Sequence, residues 1–402
     1  MSMSDLAIDA HRAIDRLMRF LAVEGVTGQE KAIGLEVARS LKEAGVPTSA
    51  MHFDSAHERI PLPTQTGNLI ATLPGTRPGP RLLFMTHLDT VPLCAGAVPV
   101  RDGKNRIKAQ GATALGGDNR TGCGVLVTLA ETLLKRKLPH PPLTLLFTVR
   151  EESGLFGARY LDPNDLGGPL MGFNVDGREP AGMTFGAVGA ERWEVEINGK
   201  ASHAGVHPEQ GISATMVVAL ALAEIHKGGW FGKIRKKEGE GTSNVGSVSG
   251  RDGKSAGEAT NVVTDFTHVR GEARSHQAAF VKQIVKAYRE AFAHAAAKVT
   301  DDEGQAAKVK FSSRLDYYPF RLKENAAVVK QAVAAATGAG FAPVLRISNG
   351  GLDANWLVRH GIPTVTIGAG QNKIHTVEEF VDVPAYLDGC RMALALATTA
   401  IV

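Results

Sequence analysis

Apolar and polar positions along this chain fall into two rhythms. Residues 5 to 45 repeat with helical spacing in two pieces divided near VEGVTGQE, and the second piece stops at Gly45. Short apolar runs follow: NLIATLPG (68–75) and RLLFMT (81–86) with a Pro/Gly turn between them, then LTLLFTV (143–149) and LMGFNV (170–175). Each is short enough for a strand and bounded by turn residues. Helical stretches are expected at 119–136 and from SGLFGARYL onward. Apolar strands alternating with helices predict an α/β fold with a largely parallel sheet, covered on both faces.

After about Gly189 the rhythm changes. RWEVEING (192–199) and NVVTDFTHVRGEARS (261–275) alternate apolar and polar residues, which predicts half-exposed strands. Helices at about 211–227 and 277–298 are interleaved with them, and AKVKFSSRLDYY (307–318) adds a strand, while the charged cluster KIRKKEGEG (233–241) reads as a solvated loop. From about residue 324 the first style returns, with a helix ENAAVVKQAVAAAT, a Gly-rich bend SNGGLDAN and a strand TVTIGAG. The simplest organisation is a discontinuous larger domain, residues 1–188 and 320–402, with a smaller α+β domain, residues 189–319, inserted into it.

Composition changes this picture little. With 402 residues, 44% hydrophobic and 21% charged, the chain reads as a soluble globular protein of two or three domains. A net charge of +4, with Lys and Arg dispersed and no aromatic residues among them, gives no case for a nucleic-acid partner. Asp5, Asp9 and Asp15 interrupt the N-terminus, so no secretory signal is expected, and no apolar run is long enough for a membrane span. Cys94, Cys123 and Cys390 are odd in number and lack CxxC spacing, which points to a reducing compartment, the cytoplasm.

The ends of the apolar strands carry the chemistry. RLLFMT runs into His87 and Asp89, LTLLFTVR into Glu151 and Glu152, LMGFNV into Asp176, and TVTIGAG is followed by QNKIHT with His375. Glycines flank Asp118 in ALGGDNRTGCG just before a helix, where they allow close backbone approach. Open α/β sheets bind ligands beyond the carboxyl ends of their strands, so these groups share one edge. Acidic residues at the start of a helix are ordinarily explained by its dipole, an effect worth up to about 1 kcal/mol. So many carboxylates in one crevice would repel unless divalent cations offset them.

Imidazole and carboxylate donors without thiolates suit zinc, with cobalt or manganese as alternatives. A single catalytic zinc keeps about three protein ligands, whereas two ions roughly 3.5–4 Å apart need a shared carboxylate and a pair each, which fits this set better. One of the two neighbouring glutamates is then spare. Adjacent residues of an extended chain point opposite ways, so one can ligate while the other acts as general base.

The ordered motifs HLDTV, GGDNRTG, REESGLFGA, NVDG, SHAG, GGLDAN and IHTVEEF resemble the two-zinc exopeptidase superfamily of peptidase T, glutamate carboxypeptidase and the aminoacylases, over nearly the whole chain. EESGLFGA and GGLDAN are most similar to its peptidase-T-like branch of tripeptide aminopeptidases. The resemblance implies a metallopeptidase core with an inserted lid, or dimerisation-type, domain. His87 and Asp176 would bind one zinc, Glu152 and His375 the other, with Asp118 shared between them. Asp89 would fix the tautomer of His87, and Glu151 would take a proton from the water between the metals and pass it to the leaving amine. The peptide bond after Asp118 would be cis.

In the inserted domain the resemblance assigns His203 to the scissile carbonyl, in some members from the neighbouring subunit of a dimer, and Asn261 and Arg274 to the substrate's backbone or carboxylate. Without the resemblance, His203 reads as a surface histidine, and Arg274 as a strand residue paired with Glu272. The expected reaction is removal of the N-terminal residue from a short peptide. The alternatives are a carboxypeptidase, dipeptidase or amide deacylase with the same centre, or a binding protein that has lost the chemistry.

Overall fold

The computed structural model describes residues 6–257 and 259–401. Two compact units divide the chain. One contains the residues up to Ala187, Arg321–Ser348 and those from Leu352 onward; the other contains Val188–Phe320 and Asn349–Gly351.

The larger unit is α/β, built on a nine-stranded sheet in which Leu143–Thr148, Leu82–His87, Met171–Val175 and Thr364–Ile367 run parallel side by side. All six residues of Leu82–His87 and all six of Leu143–Thr148 are buried, as expected of strands covered on both faces. Antiparallel neighbours Leu69–Leu73 and Met51–Phe53 extend one side. Helices Ala10–Ala22 and Lys31–Glu43 confirm the two-piece periodicity, and the first is capped by Asp9, whose carboxylate accepts Arg12 N–H at 3.0 Å. Their apolar stripes, including Leu17, Phe20, Ile33 and Val37, enter one core with Phe84, Phe147 and Phe173. Helix Gly117–Arg136 is buried along most of its length; Asp118 and Asn119 at its start have non-helical backbone angles, and the peptide bond between them is cis.

The smaller unit is a five-stranded sheet in the order Gly232–Lys236, Gly239–Ser249, Phe266–Ser275, Gly189–Asn198, Lys308–Tyr317, every neighbour antiparallel. Trp193, Val195, Ile197, Val269 and Ala273 form one core with Val217, Ala221, Ile284, Tyr288 and Phe292 of helices Ala214–Lys227 and Ala278–Lys298. Two expectations need correction here. KIRKKEGEG is not a loop: it forms the hairpin of Gly232–Lys236 with Gly239–Ser249, in which Ile234 alone of the first strand is buried. Its charges suit a solvated edge strand, which resists pairing with other chains. The strand expected over 261–275 starts only at Phe266. Among the described residues no helix is long and apolar enough to cross a membrane.

Candidate metal centre

Parallel pairing aligns the carboxyl ends of the central strands. His87 lies opposite Thr148, and Val175 opposite Ile367, so the segments beyond them leave the sheet at one edge. Asp176 follows Val175 directly and is fixed by its N–H to Ile367 O at 2.9 Å. After Thr148 the chain bends through Arg150, at φ 53°, into Glu151 and Glu152; His375, at φ 62°, sits in the loop after Gln371–Asn372.

The seven residues expected at this edge meet there. His87 Nε2 lies 3.1 Å from Asp118 Oδ1 and 3.8 Å from Asp176 Oδ1. His375 Nε2 lies 3.2 Å from the other oxygen, Asp118 Oδ2, and 3.0 Å from Glu152 Oε1. Asp118 thus turns one carboxylate oxygen to each imidazole. Ligands held about 2.0–2.2 Å from a tetrahedral ion lie roughly 3.3 Å apart, the spacing seen here. His87, Asp118 and Glu152 form one group able to hold an ion, and His87, Glu151 and Asp176 another. Glu151 in the second group competes with its assignment as base. Only Glu152 contacts an imidazole; among the described residues the carboxylate of Glu151 makes no hydrogen bond or ion pair, which leaves it free to handle protons.

Asp89 does more than orient a ring. His87 Nδ1 is 3.0 Å from the backbone O of Asp89 and 3.3 Å from its Oδ1, while the Asp89 carboxylate accepts the N–H groups of Glu151 and Glu152 at 3.0 and 3.1 Å. One buried side chain therefore sets both His87 and the two adjacent glutamates.

The electrostatics report a shortage of positive charge. Burial, with Asp176, Glu152 and Asp353 nearby, pushes Glu151 well above the carboxylate range. Burial and Asp118 push Glu152 up to about 7, and burial raises Asp176. Asp118 moves the other way: burial alone would raise it, but His375 and His87 hold it low. Hydrogen bonds to Asp118 and Glu152 lift His375 to about 10, and although burial opposes it, Asp118, Asp176 and Asp89 lift His87. Arg120, buried nearby, donates to the carbonyls of Phe20, Val23 and Gly25 rather than to these carboxylates. Five carboxylates and two imidazoles with no guanidinium or ammonium partner among the described residues fit divalent cations, which would replace the protons this cluster otherwise needs.

Sequence reasoning missed three buried carboxylates around this edge. Glu30 accepts Gly28 N–H at 2.6 Å and Arg150 N–H at 3.1 Å. Asp353, in the GGLDAN bend, takes the hydroxyl of Thr148. Glu379 accepts three N–H groups from the loop carrying Asp118.

The remaining predicted residues lie in the smaller unit. His203 and Asn261 are exposed on two loops that pair with each other: His203 bridges Val262, and Ala204 N–H donates to Asn261 O at 2.9 Å. Arg274 is half-buried near the end of Phe266–Ser275 and grips Glu272 through two bonds of 2.9 Å. His203 and Asn261 thus come together, and Arg274 stands apart, about 26 Å of extended strand beyond Phe266.

The pattern described as Peptidase family M20/M25/M40 matches residues 83–399. Among curated proteins, the uncharacterized protein YqjE of Bacillus subtilis is 30% identical over 393 residues, 97% of this chain and 98% of its own. Among solved structures, a tripeptidase from Staphylococcus aureus superposes with TM-score 0.85 at 27% identity, and the aminopeptidase PepT from Bacillus cereus with TM-score 0.81 at 30% identity. Each match covers 97% of this chain and 98% of the other.

Proposed function

The chain belongs to peptidase family M20/M25/M40 and hydrolyses peptide bonds; from that premise we propose that it is a cytoplasmic two-zinc aminopeptidase that removes the N-terminal residue of tripeptides and other short peptides. The observation that carries this reading is the divided carboxylate of Asp118, one oxygen toward His87 and the other toward His375. Likeness to a tripeptidase and to PepT over nearly the full chain supports the substrate class. Three free, buried thiols support a reducing compartment.

His87 and Asp176 would hold one zinc, Glu152 and His375 the other, with Asp118 shared; cobalt or manganese suits the same donors. When bound, the pair supplies Lewis acidity toward the scissile carbonyl and makes water a better nucleophile at neutral pH. Glu151 would accept the proton of the attacking water as the new C–O bond forms and the carbonyl becomes an oxyanion, then return it to the leaving amine as the oxyanion collapses and the peptide C–N bond breaks. Asp89 holds His87 in one tautomer and keeps Glu151 and Glu152 in register. His203 stabilises the developing oxyanion, Asn261 binds the substrate backbone, and Arg274 receives a carboxylate, for which it must exchange Glu272. A tripeptide spans at most about 11 Å, far less than the strand between the His203 loop and Arg274. That disparity supports a homodimer through the smaller unit, in which the two residues of one copy serve different sites.

Hydrolysis of unblocked, N-acetylated and C-amidated tripeptides by the zinc-loaded protein tests the specificity. Acetylation should abolish turnover and amidation should not. The reverse result would establish a carboxypeptidase and overturn the aminopeptidase reading.

A further inference from the structure

We infer that Glu379 is a positioning residue that clamps the backbone of Asp118 against the His375 loop and thereby sets the affinity of the second half of the metal centre, Asp118, Glu152 and His375. The inference rests on the two-metal reading above. Glu379 is 2% exposed, and its Oε2 accepts the N–H groups of Leu115 and Gly116 at 2.8 and 2.9 Å, while Oε1 accepts Asp118 N–H at 3.0 Å. A carboxylate is suited to this cradle because it only accepts, through two oxygens.

The glycines before Asp118 now have a physical reason. Gly116 sits at φ 82°, and a Cβ on Gly117 would come within 3.2 Å of Glu379 Oε1 and 2.8 Å of Val381. Their absent side chains let the backbone wrap the carboxylate.

Three residues separate Glu379 from His375, and the loop between them is braced internally by Glu379 N–H to Thr376 O at 3.1 Å and Thr376 Oγ1 to Lys373 O at 2.7 Å. This loop therefore meets Asp118 twice, with His375 at its carboxylate and Glu379 at its N–H. The other half of the centre is held independently, by Asp89 behind His87 and by Ile367 O on Asp176. Glutamine cannot replace Glu379: with one acceptor oxygen and an NH2 group, it must turn a donor toward at least one of the three N–H groups.

Cobalt titration of metal-free wild type and Glu379→Gln, followed by visible absorption and calorimetry, tests the inference. In the variant one of the two equivalents should bind as in wild type and the other about 10- to 100-fold more weakly. Amides of residues 115–118 in the metal-free variant should also exchange faster with deuterium. Glu378→Gln, which alters the exposed neighbour paired with Lys373 at 2.7 Å, should match wild type. Gly117→Ala, which displaces the carboxylate without removing it, should reproduce the selective loss and covers the case in which Glu379→Gln does not fold. Two cobalt ions bound by Glu379→Gln with wild-type affinities, or both weakened alike, would overturn the inference alone. A wild type that takes up no cobalt would overturn the metal centre and the inference with it.

Discussion

On the open face of the smaller unit's sheet, every acidic side chain that carries an ion pair has its partner on a neighbouring position. Glu272 takes Arg274 through two 2.9 Å bonds, Asp316 takes Arg192 at 2.6 Å and Arg314 at 3.6 Å, and Glu194 takes His268 at 3.2 Å and Ser312 at 3.1 Å. At the sheet edge of the larger unit, Asp89, Asp118, Glu152 and Asp176 share two imidazoles between them, and Glu151 beside them has no ion pair among the described residues. A cleft of about 640 Å³ opens on the first face, lined by Arg192, Glu194 and Glu272, whose charges have partners, and by Arg270, which reaches the hydroxyl of Ser247. What sets the larger unit's edge apart is buried carboxylate in excess of its cations. Exposed pairs such as Glu194 with His268 contribute about 0–1 kcal/mol and the buried Asp316 has two arginine partners, whereas buried carboxylates left without cations persist only where something else supplies the charge.

The largest effect should come from Glu151, whose carboxylate has no hydrogen bond or ion pair among the described residues. Glu151→Gln keeps size but cannot accept a proton, so turnover should fall by at least about 100-fold with both metals retained. Kinetics with parallel metal analysis checks this, and loss of one metal would mean that Glu151 and Glu152 exchange roles. His203→Ala should lower turnover by about 100-fold, as for a lost oxyanion donor, without changing metal content. Near-normal turnover would return His203 to the surface histidine that its exposure alone suggests. Arg274→Ala should act mainly on KM, raising it by about 10-fold or more, because a contact remote from the reacting carbonyl counts equally in ground and transition states.

A buried carboxylate with full partners sharpens the contrast within the larger unit. Glu131 meets Lys135 at 2.6 Å, Arg12 at 2.6 Å and Arg16. Burial alone would raise it, but Lys135 and the two arginines outweigh burial and hold it down at about 2. A depressed carboxylate stabilises the fold above its unfolded value and loses that contribution as pH falls through the folded value. The difference in Tm between wild type and Glu131→Gln should therefore be full above pH about 4.5 and vanish toward pH about 2, as thermal melts across that range would record. A difference independent of pH would show that packing, not charge, is at stake. The smallest effect belongs to the smaller unit: Glu194→Gln should change stability by no more than about 0.5 kcal/mol and leave turnover unaltered, measured by denaturant unfolding and kinetics.

What the sequence made legible follows the same division. Fully apolar runs such as LTLLFTV announced buried parallel strands, and a charged or imidazole residue at the end of each announced the centre. The hairpin over 232–249 was hidden because its exposed Lys and Glu side chains mimic a solvated loop, with Ile234 the one buried position of its first strand. Glu30, Asp353 and Glu379 were hidden for another reason. They act on groups far away in sequence, Glu30 on the N–H of Arg150, Asp353 on the hydroxyl of Thr148 and Glu379 on N–H groups some 261–264 positions earlier, and no local periodicity encodes such a contact. One signal was available. Glu378 and Glu379 repeat the adjacent pair of Glu151 and Glu152, and at the turn before Phe380–Asp382 one faces solvent and the other is buried.

Metal content against activity tests the central claim most directly. Protein loaded with zinc or cobalt and freed of excess should carry close to two ions per chain, lose tripeptide hydrolysis on chelation and regain it when either metal returns. Full activity in metal-free protein would contradict the account.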